Sequence, residues 1–169
     1  MPEKDGKSKL INKMKTVRSI TMALALFFIS GHIMAQVDKK ALNVDDSKIA
    51  LQGYSPVSYL DLGLAQRGNK DFKSEHKGAV YYFTSSEQKK RFNKDPEKYL
   101  PQYGGFCAFG IYAGAKFRVD PNKFIVSNGR LYLFLNDIEV DAKQLWQAEN
   151  EYALIKKADT NWRKLSKAE

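Results

Sequence analysis

Soft metal ligands are nearly absent from this chain. It holds one cysteine, Cys107, two histidines, His32 and His76, and four methionines that all stand N-terminal to Ala35. A lone thiol forms no internal disulfide, so stability has to come from packing, and the 9 tyrosines and 10 phenylalanines supply the bulk for it. There is no phosphate-binding glycine loop, no zinc-protease helix and no serine-nucleophile elbow. That leaves the Cys107 thiol with the His76 imidazole as the one nucleophile-and-base combination, a third reading behind binding functions. Apolar runs are short as well. The stretch Ile20 to Ile29 is interrupted by Ser30, Gly31 and His32, well before the about 20 residues a spanning helix needs. Basic residues outnumber acidic ones, giving a formal net charge of +9, but they are scattered and no nucleic-acid motif accompanies them. Nucleic acid is therefore not an expected partner.

What is present begins with a leader. Lys4, Lys7, Lys9, Lys13, Lys15 and Arg18 precede the apolar run and the small residue Ala35 follows it, which is the order of a secretory signal peptide. Residues 1–35 are expected to be removed, and Met14, followed by Lys15 and Arg18, would itself make an ordinary start for such a signal. The product is expected to be exported, periplasmic or secreted, soluble, and without a stable membrane span. Cleavage would take away every methionine and His32, leaving one thiol and one imidazole and excluding methionine-rich copper binding.

Residues 36–48 read as an N-terminal tail and 49–165 as one domain. Ile49 to Leu60, with Gly53 and Pro56, suggests a short strand, a turn and a second extended piece. Asp61 to Lys77 is polar and predicts mostly loop. Gly78 to Thr84 is aromatic and β-branched, hence a strand. Ser85 stands three residues before Gln88, a capping-box spacing that opens a helix through Phe92. Asp95-Pro96 restarts a short helix to Leu100. Tyr103 to Gly114 predicts a buried, irregular passage. Lys123 to Ser127 and Leu131 to Leu135 flank Asn128-Gly129, a strong hairpin signal. In the last third, Leu145, Ala148, Tyr152, Ile155, Trp162 and Leu165 mark one helix face that Asp159 breaks, and Asn150 divides the stretch in two. An echo links the halves: Gly78 to Phe83 with the helix of Phe92 resembles Gly129 to Phe134 with the helix of Trp146.

The run GAVYYFTSSEQKKRFNKDPEKYLPQY, flanked by LQGYSPVSYL, YGGFCAFG and KADTNW, resembles an exported, longer form of the YHS domain family over roughly residues 49–165. The resemblance implies a single α+β domain, a small antiparallel sheet with β-hairpins packed against helices. It also implies a binding module described as metal-binding, for copper or other heavy metals. The chain departs from cysteine-bearing members, having Val57-Ser58-Tyr59 and Phe83-Thr84-Ser85-Ser86-Glu87 where those carry cysteines.

Two binding functions follow as expectations. In the first, Cys107 and His76 hold copper or zinc. A closed zinc site needs four ligands, so Glu75 or Asp71, or a second chain in a homodimer, would complete it, whereas copper(I) is content with soft thiolate ligation. The alternative for Cys107 is a small buried hydrophobe among Phe106, Ala108 and Phe109, and for His76 a solvated loop residue. In the second function, a small ligand or protein partner meets the Tyr- and Gly-rich segment 99–112. Tyr54, Tyr81, Tyr82, Tyr99 and Tyr103 then line a pocket, and Gly104 and Gly105 admit the ligand close to the backbone. The bland alternative is a tyrosine-rich core.

Overall fold

Two antiparallel β-hairpins, each with a helix laid across one face, organise the chain. The computed structural model describes residues 41–137 and 139–167. The expected signal peptide, its cleavage point at Ala35 and the first part of the tail lie outside the described residues. The first hairpin joins β1 (Asn69–His76) to β2 (Ala79–Phe83), and the second joins β3 (Asp120–Ser127) to β4 (Arg130–Phe134). Both are closed by two-residue turns with positive φ at each position, Lys77-Gly78 (48°, 79°) and Asn128-Gly129 (50°, 71°). Such turns match the right-handed twist of the strands they join.

The helices start where local chemistry dictates. Ser85 Oγ accepts the Gln88 N–H at 3.3 Å and opens α1 (Ser86–Lys94), and Pro96 opens α2 (Pro96–Tyr99). Cys107 caps α3 (Ala108–Ala113). Asp141 accepts the N–H groups of Lys143 and Gln144 to open α4 (Ala142–Gln147), and Asn150 accepts that of Ala153 to open α5 (Glu151–Leu165). Among the described residues no helix is long and apolar enough to cross a membrane.

The echo in the sequence is a structural repeat. Asn69 faces Phe83 and Asp120 faces Phe134 across the same irregularity in register, while Tyr81 and Tyr132 hold equivalent places. Phe92 lies over Tyr81 and Phe83 with centroids 5.0 and 5.1 Å away, and Trp146 lies over Tyr132 and Phe134 at 5.7 and 5.6 Å. Ahead of each hairpin runs a left-handed turn, Leu51-Gln52-Gly53 (54°, 51°, 84°) and Tyr103-Gly104-Gly105 (55°, 62°, 83°). Each turn is preceded by a parallel bridge to the second strand of its hairpin, Ile49 to Val80 and Pro101 to Leu131. The repeats are welded together. The Tyr59 hydroxyl donates to the Pro121 carbonyl at 2.8 Å and its ring meets Phe124 at 4.8 Å, while Gln52 Nε2 donates to the Val119 carbonyl at 2.8 Å.

The α+β class, the capped helices, the second hairpin and the break at Asn150 agree with the sequence reading. Five expectations are corrected. The second extended piece expected before Leu60 is a π-helical turn, Ser58–Leu62, because Ser55 and Ser58 are fully buried and hydrogen-bonded instead of lying in a strand. The polar stretch expected as loop contains β1, whose exposed outer side chains conceal it. The irregular passage after Tyr103 becomes regular at α3, since a cap and close packing of Ala108 and Ile111 outweigh its glycines. The buried side of α5 is centred on Leu154 and Ala158, with Ile155, Trp162 and Leu165 half-buried; Tyr152 is 78% exposed and Leu145 points outward too. Over 41–48 the expected tail is docked, Asn43 donating its backbone N–H to Gly104 and its side-chain amide to the Gly105 carbonyl, both at 2.9 Å.

Candidate ligand cleft

The second left-handed turn forms one wall of a cleft of about 630 Å³. Tyr103 and Gly104 come from the turn, Leu100, Pro101 and Gln102 from the chain entering it, and Lys77 and Glu97 from the first repeat. Arg130 opens β4, and Asp159, Trp162, Arg163 and Ser166 lie along the end of α5. Tyr103 is a non-glycine residue with φ +55°, a conformation that costs roughly 1–3 kcal/mol and persists only where its surroundings hold it. They do so here. The Tyr103 hydroxyl donates to Asp159 Oδ1 at 2.9 Å, and its ring meets Tyr132 and Trp162 with centroids 6.1 Å away in each case. A Cβ at Gly104 would stand 1.9 Å from the Ala41 carbonyl oxygen, so only glycine lets the N-terminal segment cross the turn.

Ion pairs and hydrogen bonds fix the polar groups. Arg130 gives Nε and Nη2 to Gln102 Oε1 at 3.0 and 2.6 Å, and its Nη2 lies 3.6 Å from Asp159 Oδ1. Glu97 takes Lys77 and His76, each at 2.8 Å, and their hydrogen bonds hold its carboxyl below the ordinary glutamate range, Lys77 contributing most. Burial, with the Asp159 carboxylate second, pushes the Tyr103 phenol far up, so it remains a neutral donor at any physiological pH. The cleft therefore presents fixed hydrogen bonds, exposed cations and an aromatic wall.

Cys107 and His76 are not brought together. His76 ends β1, half-buried, bonded to Glu97 and edge-on to Phe92. Cys107 is 1% exposed between α3 and β4, where its Sγ accepts the Gly110 N–H at 3.4 Å and the Leu135 N–H at 3.2 Å. Ser55 occupies the equivalent place in the first repeat, accepting the Ser58 N–H at 3.4 Å. Cys107 is thus a helix cap, and burial raises its thiol above the ordinary range. Glu75 neighbours His76 along β1, so the two side chains leave opposite faces of the strand, and Asp71 stands farther back at an exposed position. Among the described residues no three His, Cys, Asp or Glu side chains are grouped to hold a metal ion. The folded protein is expected to resist alkylation by iodoacetamide at neutral pH roughly a hundredfold or more relative to the denatured chain. Equal labelling rates in the two states would contradict the buried cap.

The tyrosines expected to form a pocket are divided. Tyr81 and Tyr103 line the cleft with Gly104; Gly105 lies just behind, against Pro101 and Asn43. Tyr54 lies under the Arg67 guanidinium, and Tyr82 packs near Gly53, both around the first turn. Tyr99 is buried beside Asp61, its hydroxyl donating to Asp61 Oδ2 at 3.3 Å. Gln102, Arg130, Asp159, Trp162 and Arg163 were not legible as site residues. The one signal for them was Asp159, a carboxylate interrupting an otherwise apolar helix face.

A hairpin-and-helix α+β domain with a turn-built cleft is the class these features define. Residues 66–103 match the family model of the YHS domain, and the chain carries a YHS domain there. The match spans the first hairpin, α1, α2 and the chain up to Tyr103, so the second hairpin lies beyond it. No curated protein and no solved structure matches the chain significantly. The residues present do not fit the metal that the family implies. The one thiol is buried and accepts two backbone N–H groups, and the one described imidazole, at the end of β1 in the first hairpin, is bonded to Glu97.

Proposed function

We propose that this domain is a small-ligand-binding module whose site is the cleft between the second left-handed turn and the end of α5. The observation that carries the proposal is the convergence of Tyr103, held left-handed by Asp159, with Arg130 and Trp162 around one concavity. A volume of about 630 Å³ falls in the range of ligand pockets, and a few fixed polar groups among aromatic walls are what such pockets use for orientation. Export to the cell envelope or beyond would place the site in contact with small solutes there, an expectation that rests on the leader alone.

The proposal is tested by screening the protein against a mixed library of small fragments and following backbone and indole N–H resonances. Binding fragments are expected to shift Gln102 to Gly105 and the Trp162 indole together and to leave Trp146, buried in the second repeat, unmoved. Fragments that cluster around Cys107, or scatter without a common site, would sink it. Uptake of copper(I) or zinc by the purified protein is expected to be the same for wild type and Cys107→Ser. Stoichiometric uptake that the substitution abolishes would restore the metal reading.

A further inference from the structure

The charged groups of the cleft are unequally satisfied, and on the ligand-binding reading above this names a class of ligand. Both carboxylates are partnered, Glu97 by Lys77 and His76 and Asp159 by the Tyr103 hydroxyl and Arg130. The guanidiniums are not used up. Arg130 gives two nitrogens to Gln102 and keeps Nη1, while Arg163 gives only Nε, to the Asp159 carbonyl at 3.3 Å. Among the described residues no acceptor meets the terminal nitrogens of Arg163. Both arginines attach to Asp159, one through its carboxylate and one through its backbone, and both line the cleft.

We propose that the cleft takes a small organic anion, a carboxylate on a flat apolar body. Arg130 and Arg163 hold the charge, and Trp162 and Leu100 bound the body. A guanidinium donates in a planar fork that fits a carboxylate, and Arg130 is already held by Gln102, so little side-chain freedom is lost when it binds. A cationic ligand would meet Lys77, Arg130 and Arg163 with no carboxylate left unpartnered to receive it.

Three probes of nearly one shape separate the alternatives: phenylacetate, its neutral amide phenylacetamide, and the cation phenethylamine, each titrated while the Trp162 indole and the Gln102 to Gly105 amides are followed. Phenylacetate is expected to bind about tenfold or more tightly than the amide, an advantage near 1.4 kcal/mol, and the amine to give no shift. Arg163→Gln is expected to remove most of that advantage with no change in thermal midpoint, since Arg163 is exposed. Arg130→Gln is also expected to remove most of that advantage, with a lowered thermal midpoint because Arg130 holds Gln102 and Asp159. Equal or tighter binding of the amide or amine would overturn the anion assignment and leave the ligand cleft standing. Phenylacetate binding unchanged by both substitutions would overturn the role of the arginines and with it the assignment. No response at these resonances to any of the three would overturn the cleft itself.

Discussion

Replacing Trp146 by alanine is expected to lower the unfolding free energy by about 3–5 kcal/mol, and replacing Phe92 by alanine by a similar amount. Each is 1% exposed and bridges the two aromatic residues of its hairpin, so truncation opens a cavity between helix and sheet instead of trimming a surface. Small domains have a total of roughly 5–15 kcal/mol, so either change takes a large share. Trp146 carries an additional loss, because its indole N–H donates to Glu151 Oε1 at 3.4 Å and helps tie α4 to α5. The two substitutions should also act on one and the same transition. Tyr59 and Gln52 of the first repeat hydrogen-bond to backbone carbonyls of the second, which makes independent melting of either repeat costly. Guanidinium unfolding followed by far-ultraviolet circular dichroism and by tryptophan fluorescence is expected to give coincident midpoints, lowered together in both variants. Separate transitions, with only one displaced by each substitution, would show that the repeats fold alone.

The hairpin at Asn128-Gly129 was legible because that pair is the common solution for two positive φ angles, whereas Lys77-Gly78 makes the same turn with a lysine at φ +48° and gives little signal. β1 was hidden because a strand that pairs on one edge and faces solvent has no apolar alternation to read. The left-handed turns were hidden for a different reason. Leu51, Gln52 and Tyr103 adopt a conformation their side chains disfavour, and what holds Tyr103 there is Asp159, far away in sequence. The cleft has that same origin. Its tyrosine and glycine lie in the segment singled out from sequence, but Arg130 comes from the start of β4, and Arg163 and Trp162 are brought in by the packing of α5 beside α3 and the turn, where the Asn161 amide donates to the Ile111 and Tyr112 carbonyls.

Comparing the repeats also explains why the one cysteine stands where it does. Each hairpin's second strand is followed by a backbone N–H, that of Thr84 or of Leu135, which needs an acceptor. In the first repeat the short Ser55 side chain does not supply one, and Gln88 Oε1 accepts the Thr84 N–H at 3.1 Å while also accepting the Ser55 hydroxyl at 2.7 Å. In the second repeat the longer bonds and larger radius of sulfur let Cys107 accept the Leu135 N–H directly. The thiol therefore does structurally what a serine and a glutamine do together, and a solitary cysteine needs no metal to account for it.

The other large effect belongs to that glutamine. Gln88→Leu is expected to cost about 3 kcal/mol, although leucine is apolar, similar in size and a better match to a buried helix position. Gln88 is 9% exposed, and it serves three groups at once: the Ser55 hydroxyl and Thr84 N–H through Oε1, and the Ser58 hydroxyl oxygen, to which Nε2 donates at 2.9 Å. Ser55 is completely buried, so water does not reach its hydroxyl when the amide is gone, and the Thr84 N–H loses its acceptor as well, whereas Ser58 still donates to Gln66 Oε1 at 2.9 Å. An unsatisfied buried polar group costs about 1–3 kcal/mol, and two of them outweigh the gain from an apolar side chain. Because the loss lies in the orphaned partners, it should shrink when a partner is removed as well. In a double-mutant cycle, Gln88→Leu with Ser55→Ala is expected to cost at least about 1 kcal/mol less than the sum of the two single changes, measured by urea unfolding. Strict additivity would mean that the two side chains do not share the bond, and a neutral Gln88→Leu would mean that water satisfies the Ser55 hydroxyl and the Thr84 N–H.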